Sequence, residues 1–247
     1  MARTRLDQLI VARGLAASRE RAQALVIGNH VTVNGVAITK AGTQVDDTAD
    51  VQMKTADHPW VSRGGLKLVR ALDAFAIDVS GALALDIGAS TGGFTDVLLH
   101  HGATRVVAID VGHNQIDWKL RQDPRVVVRE GVNARYMVPT DLPEDARQFD
   151  IVTIDVSFIS LALILPIVPA LLKPSSRVVA LVKPQFEAGR DDVGKGGIVR
   201  DPEIHARVVA DVTRAATEVG LKRLGLEPSP IEGAEGNKEF LLCLALA

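Results

Sequence analysis

The sequence predicts an α/β protein in two parts: a Rossmann-like sheet, mostly parallel with its last strand antiparallel, behind a small α+β module. Three observations predict it. Short apolar runs alternate with helical segments from residue 82 onward, the mark of a parallel sheet covered on both faces. A glycine-rich turn, Asp86 to Phe94, joins the first of those runs to the first of those helices. Ahead of them, the N-terminal segment reads as two short helices followed by a tight hairpin.

Composition supports a folded chain and narrows its class. The 247 residues suffice for a small domain joined to a medium one. Hydrophobic residues make up 47% and aromatic residues 4%, so a core can form and must rely on Val, Leu, Ile and Ala. A formal net charge of −2 argues against a globally basic coat, while 28 Lys and Arg leave room for local basic patches. Cys243 is the single cysteine, which excludes an intrachain disulfide and a cysteine-built zinc site and fits a reducing cytoplasm. No metal site is expected. Nothing after Met1–Asp7 reads as an export signal. The uncharged run Val156–Leu172 is shorter than the ~20 residues of a membrane helix and is interrupted by Pro166 and Pro169. It reads as a buried strand running into a core helix, and no membrane association is expected.

The elements follow in order. Thr4 to Asp7 has capping-box spacing ahead of Leu9 and Ile10, with Gly14 as a stop. Ser18 caps a second helix whose Ala22, Leu25 and Val26 share one face. Asn34-Gly35 between short apolar runs signals a hairpin, and a further strand is expected at Val51–Met53. This module spans residues 1–57, a linker 58–61 and the larger domain 62–247. Pro59 marks the joint that begins at Asp57, with Trp60 expected to pack between the units. Strands are then expected at Ala82–Ile87, Arg105–Ile109, Arg125–Arg129, Ile151–Ile154 and Arg177–Val182. Helices are expected near Phe94–Leu99, Asn114–Arg121, Leu161–Leu171 and His205–Val219. Arg223–Leu226 and Glu239–Leu246 close the sheet as a strand pair.

Polar residues gather at the ends of these strands. Gly88, Gly92 and Gly93 let the backbone approach a ligand and present helix-terminal N–H groups, although a glycine turn can also exist without a ligand. Asp110 ends the next strand, 24 residues after Asp86, where a carboxylate can reach a ribose diol. Asn133 follows the third strand and Asp155 the fourth, so four strand ends converge on one crevice. This pattern resembles the S-adenosyl-L-methionine site of Rossmann-like methyltransferases. The resemblance implies that cofactor, held by Asp86, Gly88, Ser90, Gly92, Gly93, Phe94, Asp110, Asn133 and Asp155. Asn133 departs from the Asp that such enzymes often carry.

Lys67, Lys183 and Glu239 stand out against apolar surroundings, and Lys183 directly follows the apolar strand Val178–Val182. Each alone reads as a strand-end or surface charge. Together Lys67, Asp155, Lys183 and Glu239 resemble the Lys-Asp-Lys-Glu tetrad of FtsJ-type RNA ribose 2′-O-methyltransferases. A ribose hydroxyl is a weak nucleophile, so methyl transfer to it needs alignment and a base. The tetrad implies Lys183 as that amine, aligned by Asp155, with Lys67 and Glu239 positioning the ribose and its phosphate.

Five arginines stand against Asp7 and Glu20 between Arg3 and Arg21. A solvated helix face would explain them, as would a phosphate grip. The order of helix, Gly-Leu, Ser-Arg-x-x-Ala helix and Val-x-Val-Asn-Gly hairpin resembles the RNA-binding module of ribosomal protein S-four. From Arg5 to Leu244 the chain then resembles the TlyA family of rRNA cytidine 2′-O-methyltransferases, also labelled haemolysin A. Ser62–Lys67, Asp155–Ser160, Lys183–Phe186 and Gly194–Gly197 carry that resemblance. It implies ribosomal RNA in ribosomal subunits, 16S or 23S, as the partner. Arg3, Arg5, Arg19, Arg21 and Arg63 are the expected RNA contacts, part of a basic track that includes Arg70. Gly189–Gly197, with Arg190 and Lys195, reads as a loop that folds over RNA or as a plain connection. Asp141–Asp155 is acidic, so the net charge averages an RNA-facing side with an acidic remainder. Alternative readings are a non-catalytic ribosome assembly factor, a membrane-lytic protein and a small-molecule methyltransferase.

Overall fold

Thr4 does not cap a helix. In the computed structural model, which describes residues 3–16, 18–53, 58–233 and 236–247, Thr4 pairs with Val45 in an antiparallel ladder. The ladder joins β1 (Arg3–Arg5) to β4 (Gln44–Asp46). Helix α1 (Leu6–Ala12) starts directly after it, without a side-chain cap. Ser18 does cap α2 (Arg19–Ile27), accepting the Arg21 backbone N–H at 3.2 Å. Asn34 and Gly35 both have positive φ, 49° and 77°, as a tight hairpin between β2 (Val31–Val33) and β3 (Val36–Ala37) requires. β2 also pairs with β5 (Val51–Met53). Leu6, Ile10, Ala22, Val26 and Val31 form the core of this unit, which comprises residues 1–59. The joint read at Asp57 begins outside the described residues.

The second unit, residues 60–247, is built on a seven-stranded sheet in the order β11-β12-β10-β9-β6-β7-β8. Its elements are α3 (Gly64–Ala74), β6 (Leu83–Ile87), α4 (Gly93–His100), β7 (Arg105–Asp110), α5 (Trp118–Gln122) and β8 (Val126–Glu130). They continue with β9 (Phe149–Ile154), β10 (Leu172–Val182), α6 (Pro184–Glu187), α7 (Pro202–Glu218), β11 (Leu221–Pro228) and β12 (Phe240–Leu246). β6 to β10 run parallel, while β12 is antiparallel to both neighbours. Side chains alternate across the sheet as strand geometry dictates. Leu85, Ile87, Val107 and Ile109 enter one core; Ala84, Val106, Ala108 and Ile151 enter the other.

Three sequence expectations are corrected. Leu161–Leu171 is not an α-helix but three 3-10 turns, at Leu161–Leu163, Leu165–Ile167 and Pro169–Leu171. Pro166 and Pro169 each remove a donor that an α-helical ladder would need, and the tighter turns do without it. α5 begins only at Trp118, capped by Asp117, rather than at Asn114. Trp60 belongs to the second unit's own core, where Gly65 has no room for a Cβ beside its ring. Among the described residues, no helix is long and apolar enough to cross a membrane.

Candidate active site

The glycine turn is shaped by close approach. Gly88 has φ 83°, and a Cβ there would lie 2.5 Å from the Asp155 carbonyl oxygen. At Gly93 a Cβ would collide with Ser62 Oγ, so the turn and the start of α4 pack directly on residues 62–65. The N–H groups of Gly88 and Ala89 donate to the Ile109 carbonyl at 2.8 and 3.0 Å, tying β6 to β7.

Asp110 ends β7 with its carboxylate oriented from two sides. Its oxygens accept the N–H of Ser90 and the N–H of Gly112, each at 2.7 Å. Asn133 uses Oδ1 to accept the Arg135 N–H at 3.0 Å. Its NH₂ has no partner among the described residues. Both side chains line a crevice of about 350 Å³ that also reaches Gly88, Ser90 and Asp155. A second hollow of about 220 Å³ shares Gly88, Ser90, Asp155 and Ser157 with it and adds Gly93, Phe94 and Lys183. The two form one continuous cleft along the strand ends. Asp86 and Gly92 do not line it. Asp86 is fully buried beneath the turn, where it accepts Thr95 Oγ1 at 2.7 Å and Thr153 Oγ1 at 2.9 Å. Burial pushes its carboxyl up to about 6, reinforced by the charge of Asp155 and opposed by the two hydroxyls.

Two buried lysines each stand beside a carboxylate, and of the two only Lys183 lines the cleft. Lys183, 8% exposed, lies 2.5 Å from Asp155 Oδ1 and donates to Ser157 Oγ at 2.9 Å. Lys67, on the inner face of α3 and 7% exposed, lies 2.6 Å from Glu239 Oε2. The register Val182↔Phe240 puts Lys183 and Glu239 at neighbouring strand ends of β10 and β12. A larger groove of about 680 Å³, with mostly apolar walls, runs between α7 and β11. Glu239 borders it together with Glu232 and Lys238, whereas Asp155 and Lys183 line the cleft instead and Lys67 lines neither.

Several residues here were not singled out from sequence. Phe158 is 90% exposed with φ 63°, an unusual backbone for an aromatic residue, and its ring lies 5.0 Å from Phe186. Glu187 accepts Ser160 Oγ at 2.6 Å and the Leu161 N–H at 2.7 Å, joining the loop after β9 to α6. Burial pushes its carboxyl upward. The signal for Phe158 and Ser157 was their place directly after Asp155.

The chain ends of the two units are accounted for less simply. Arg5 and Arg19 donate to the buried Asp7 at 3.0 to 3.1 Å, and Arg21 reaches the ring and carbonyl of His58. Arg3 sits opposite Asp46 in its ladder. Of the two readings of these arginines, a plain solvated face does not describe Arg5 and Arg19, which Asp7 braces. In the second unit Arg63 is exposed at the N-cap of α3, whereas Arg70 is engaged by Glu227 at 2.5 Å. The Gly189–Gly197 loop is tied at its base. Asn237 donates to the Gly197 carbonyl and accepts the Val199 N–H, and Asp192 pairs with Arg207.

Comparison with known proteins agrees with this geometry. The FtsJ-like methyltransferase family matches residues 60–246. The chain belongs to that family. An S4 domain matches residues 4–51 of this FtsJ-like methyltransferase. It is 50% identical over 240 residues to a Bacillus subtilis protein named as the rRNA methyltransferase YqxC, covering 97% of this chain and 85% of that one. It is 48% identical over 243 residues to the 16S/23S rRNA (cytidine-2′-O)-methyltransferase TlyA of Mycobacterium tuberculosis, covering 98% and 90% of the two chains. A solved structure described as a hemolysin from Streptococcus thermophilus superposes with a TM-score of 0.78 at 47% identity, covering 100% of this chain and 90% of that one.

Proposed function

We propose that this FtsJ-like methyltransferase transfers a methyl group from S-adenosyl-L-methionine to the ribose 2′-oxygen of a cytidine in ribosomal RNA. Its working partner is a ribosomal subunit in the cytoplasm. The observation that carries this reading is Lys183, buried, held by Asp155 and Ser157, and facing the same cleft as Asp110 and Asn133. The names of the two curated relatives support the substrate.

The cleft fits the cofactor. Asp110 offers carboxylate lone pairs for a ribose diol, and the Asn133 NH₂, without a partner among the described residues, offers a donor for an adenine edge. Gly88, Ser90, Gly93 and Phe94 line the path between that end and Lys183, while Asp86 and Gly92 support the turn from beneath. S-adenosylmethionine held there would supply an electrophilic sulfonium methyl with a neutral thioether as its leaving group.

Lys183 Nζ, in its neutral form, takes the proton from the 2′-hydroxyl and becomes an ammonium. Asp155 stabilises that ammonium and sets the amine's place. Lys67 and Glu239 hold the ribose and its phosphate with a fixed pair of opposite charges. Phe158 offers an exposed face on which the nucleobase stacks. Arg3, Arg5, Arg19 and Arg21 in the first unit and Arg63 in the second bind phosphates, with Asp7 holding Arg5 and Arg19 in fixed directions.

Mass-spectrometric mapping of rRNA with and without the protein tests this reading. A 2′-O-methylcytidine appears only where the active protein was supplied; its absence from the rRNA of both subunits refutes the proposal. Lys183→Ala is expected to lower transfer by roughly 10³-fold, near the upper range of general-base effects. Cofactor affinity, read by calorimetry, should stay nearly unchanged.

A further inference from the structure

We propose that Ser157 is a positioning residue that fixes the direction of the Lys183 lone pair. The inference rests on Lys183 acting as the base, as argued above. A neutral amine nitrogen is tetrahedral: one corner holds Cε, two hold hydrogens and the fourth holds the lone pair. Ser157 Oγ accepts a hydrogen bond from that nitrogen at 2.9 Å, whereas Asp155 Oδ1, 2.5 Å away, is an ion-pair partner outside hydrogen-bond geometry. The Ser157 bond fixes one hydrogen of the neutral amine and the Asp155 charge draws the second, so the lone pair is turned to the remaining corner. With Asp155 alone, rotation about the Cε–N bond would exchange the lone pair with the second hydrogen. Half of the remaining orientations would then present the wrong group to the ribose hydroxyl. Ser157 thus decides direction where Asp155 mainly supplies charge.

The surroundings make Ser157 able to do this. It lines both parts of the cleft, so its hydroxyl stands where substrate and amine meet. Glu187 clamps the same loop three residues on, through Ser160 Oγ and the Leu161 N–H. That clamp joins the segment after Asp155 to the segment after Lys183, and fixes acceptor and donor against each other. The Phe186 ring, 5.9 Å from Lys183 Nζ, closes another side of the amine without a hydrogen-bond acceptor in reach. In the reaction the 2′-hydroxyl O–H bond breaks and its proton joins the lone pair, giving an ammonium that keeps the Ser157 hydrogen bond and the Asp155 ion pair.

The test is single-turnover methyl transfer to rRNA in ribosomal subunits. Wild type, Ser157→Ala, Ser157→Thr and Lys183→Ala are compared, with cofactor affinity measured in parallel. Ser157→Ala should slow transfer by about 10- to 100-fold, the scale on which small misplacement of reacting groups acts. Cofactor affinity should be unchanged and Ser157→Thr, which keeps the hydroxyl, should recover most of the rate. Raising the pH should not restore Ser157→Ala, because the missing quantity is direction rather than the supply of neutral amine. A wild-type rate in Ser157→Ala, or full recovery at high pH, overturns the proposal, as does a Thr variant as slow as the Ala variant. Should Ser157→Ala fail to fold, Ser157→Cys keeps the shape with a weaker acceptor. Its rate should then be intermediate, and a wild-type rate overturns the assignment. If wild type itself transfers no methyl group, the functional reading falls and the role of Ser157 with it. If wild type transfers and only the Ser157 variants behave otherwise than stated, the functional reading stands.

Discussion

Asp7 in the first unit and Asp86 in the second are both removed from solvent, yet their ionisation is displaced in opposite directions. Asp7 lies under a thin polar cover. Arg5, Arg19 and Gln23 donate to it directly, and the two guanidinium groups are themselves partly exposed. The Arg5 hydrogen bond comes first among the causes that hold its carboxyl well below the ordinary carboxylate range, outweighing burial. Asp86 lies between sheet and helix with neutral donors only, the Thr95 and Thr153 hydroxyls and the Thr95 N–H, and burial, with the Asp155 charge adding to it, pushes it up to about 6. Depth of burial and charge of the partner, rather than loss of exposure alone, decide the sign. The first arrangement braces a charged surface; the second places an expensive charge under the glycine turn.

Among the carboxylates, the largest effect is expected from Asp155→Asn, which removes both the partner of Lys183 and the negative charge that helps to raise Asp86. Methyl transfer should fall by roughly 10²-fold or more. The Asp86 carboxyl, followed by its carbon chemical shift, should titrate at lower pH. An Asp86 titration that does not move would break the link between the two carboxylates.

Asp86→Asn should have a smaller effect, on stability. The folded-state value is raised above the ordinary one, so the stabilising proton is fully bound below the unfolded value. Its contribution is lost as pH rises through about 6. Wild type should therefore gain on the order of 1 kcal/mol in the second unit between about pH 7 and about pH 5. The variant should not show this gain. Equal pH slopes for both proteins in thermal melts would place the titrating group elsewhere.

The smallest effect is expected from Asp7→Asn. Its folded value is depressed, so the stability it supplies is present above about pH 4 and is lost as pH falls further. The variant should melt a few degrees lower at neutral pH, lose the acid slope and bind rRNA more weakly as Arg5 and Arg19 lose their brace. Unchanged rRNA affinity would confine Asp7 to stability.

The same contrast explains what was legible in the sequence. Strand, glycine turn and helix from Leu83 to His100 were readable because period, turn chemistry and apolar runs agree locally. The convergence of Asp110, Asn133 and Asp155 followed from strand ends alone, while Lys67 and Glu239 were tied to them only by a family resemblance. Their ion pair spans most of the second unit and leaves no local trace. α3 was not expected because Gly64 and Gly65 open it, residues whose helix propensity is poor, and close packing on Trp60 is what favours glycine there. Thr4 carried a capping signal that the β1–β4 pairing overrode. The Asp7 brace was invisible for a similar reason: Arg5, Arg19 and Gln23 meet only once α1 and α2 have packed.

The place of β12 has a consequence for how the protein is made. β11 precedes β12 in the chain but lies outside it in the sheet, and its ladder is formed with β12 alone. Until residues 240–246 have been synthesised, β10 therefore presents an open edge and β11 has nothing to pair with. Lys67 likewise has no carboxylate until Glu239 arrives just ahead of β12. A nascent chain can thus complete its first unit and its glycine turn well before the Lys67–Glu239 ion pair can form. On this order of events, the sheet of the second unit matures only as its last strand is made.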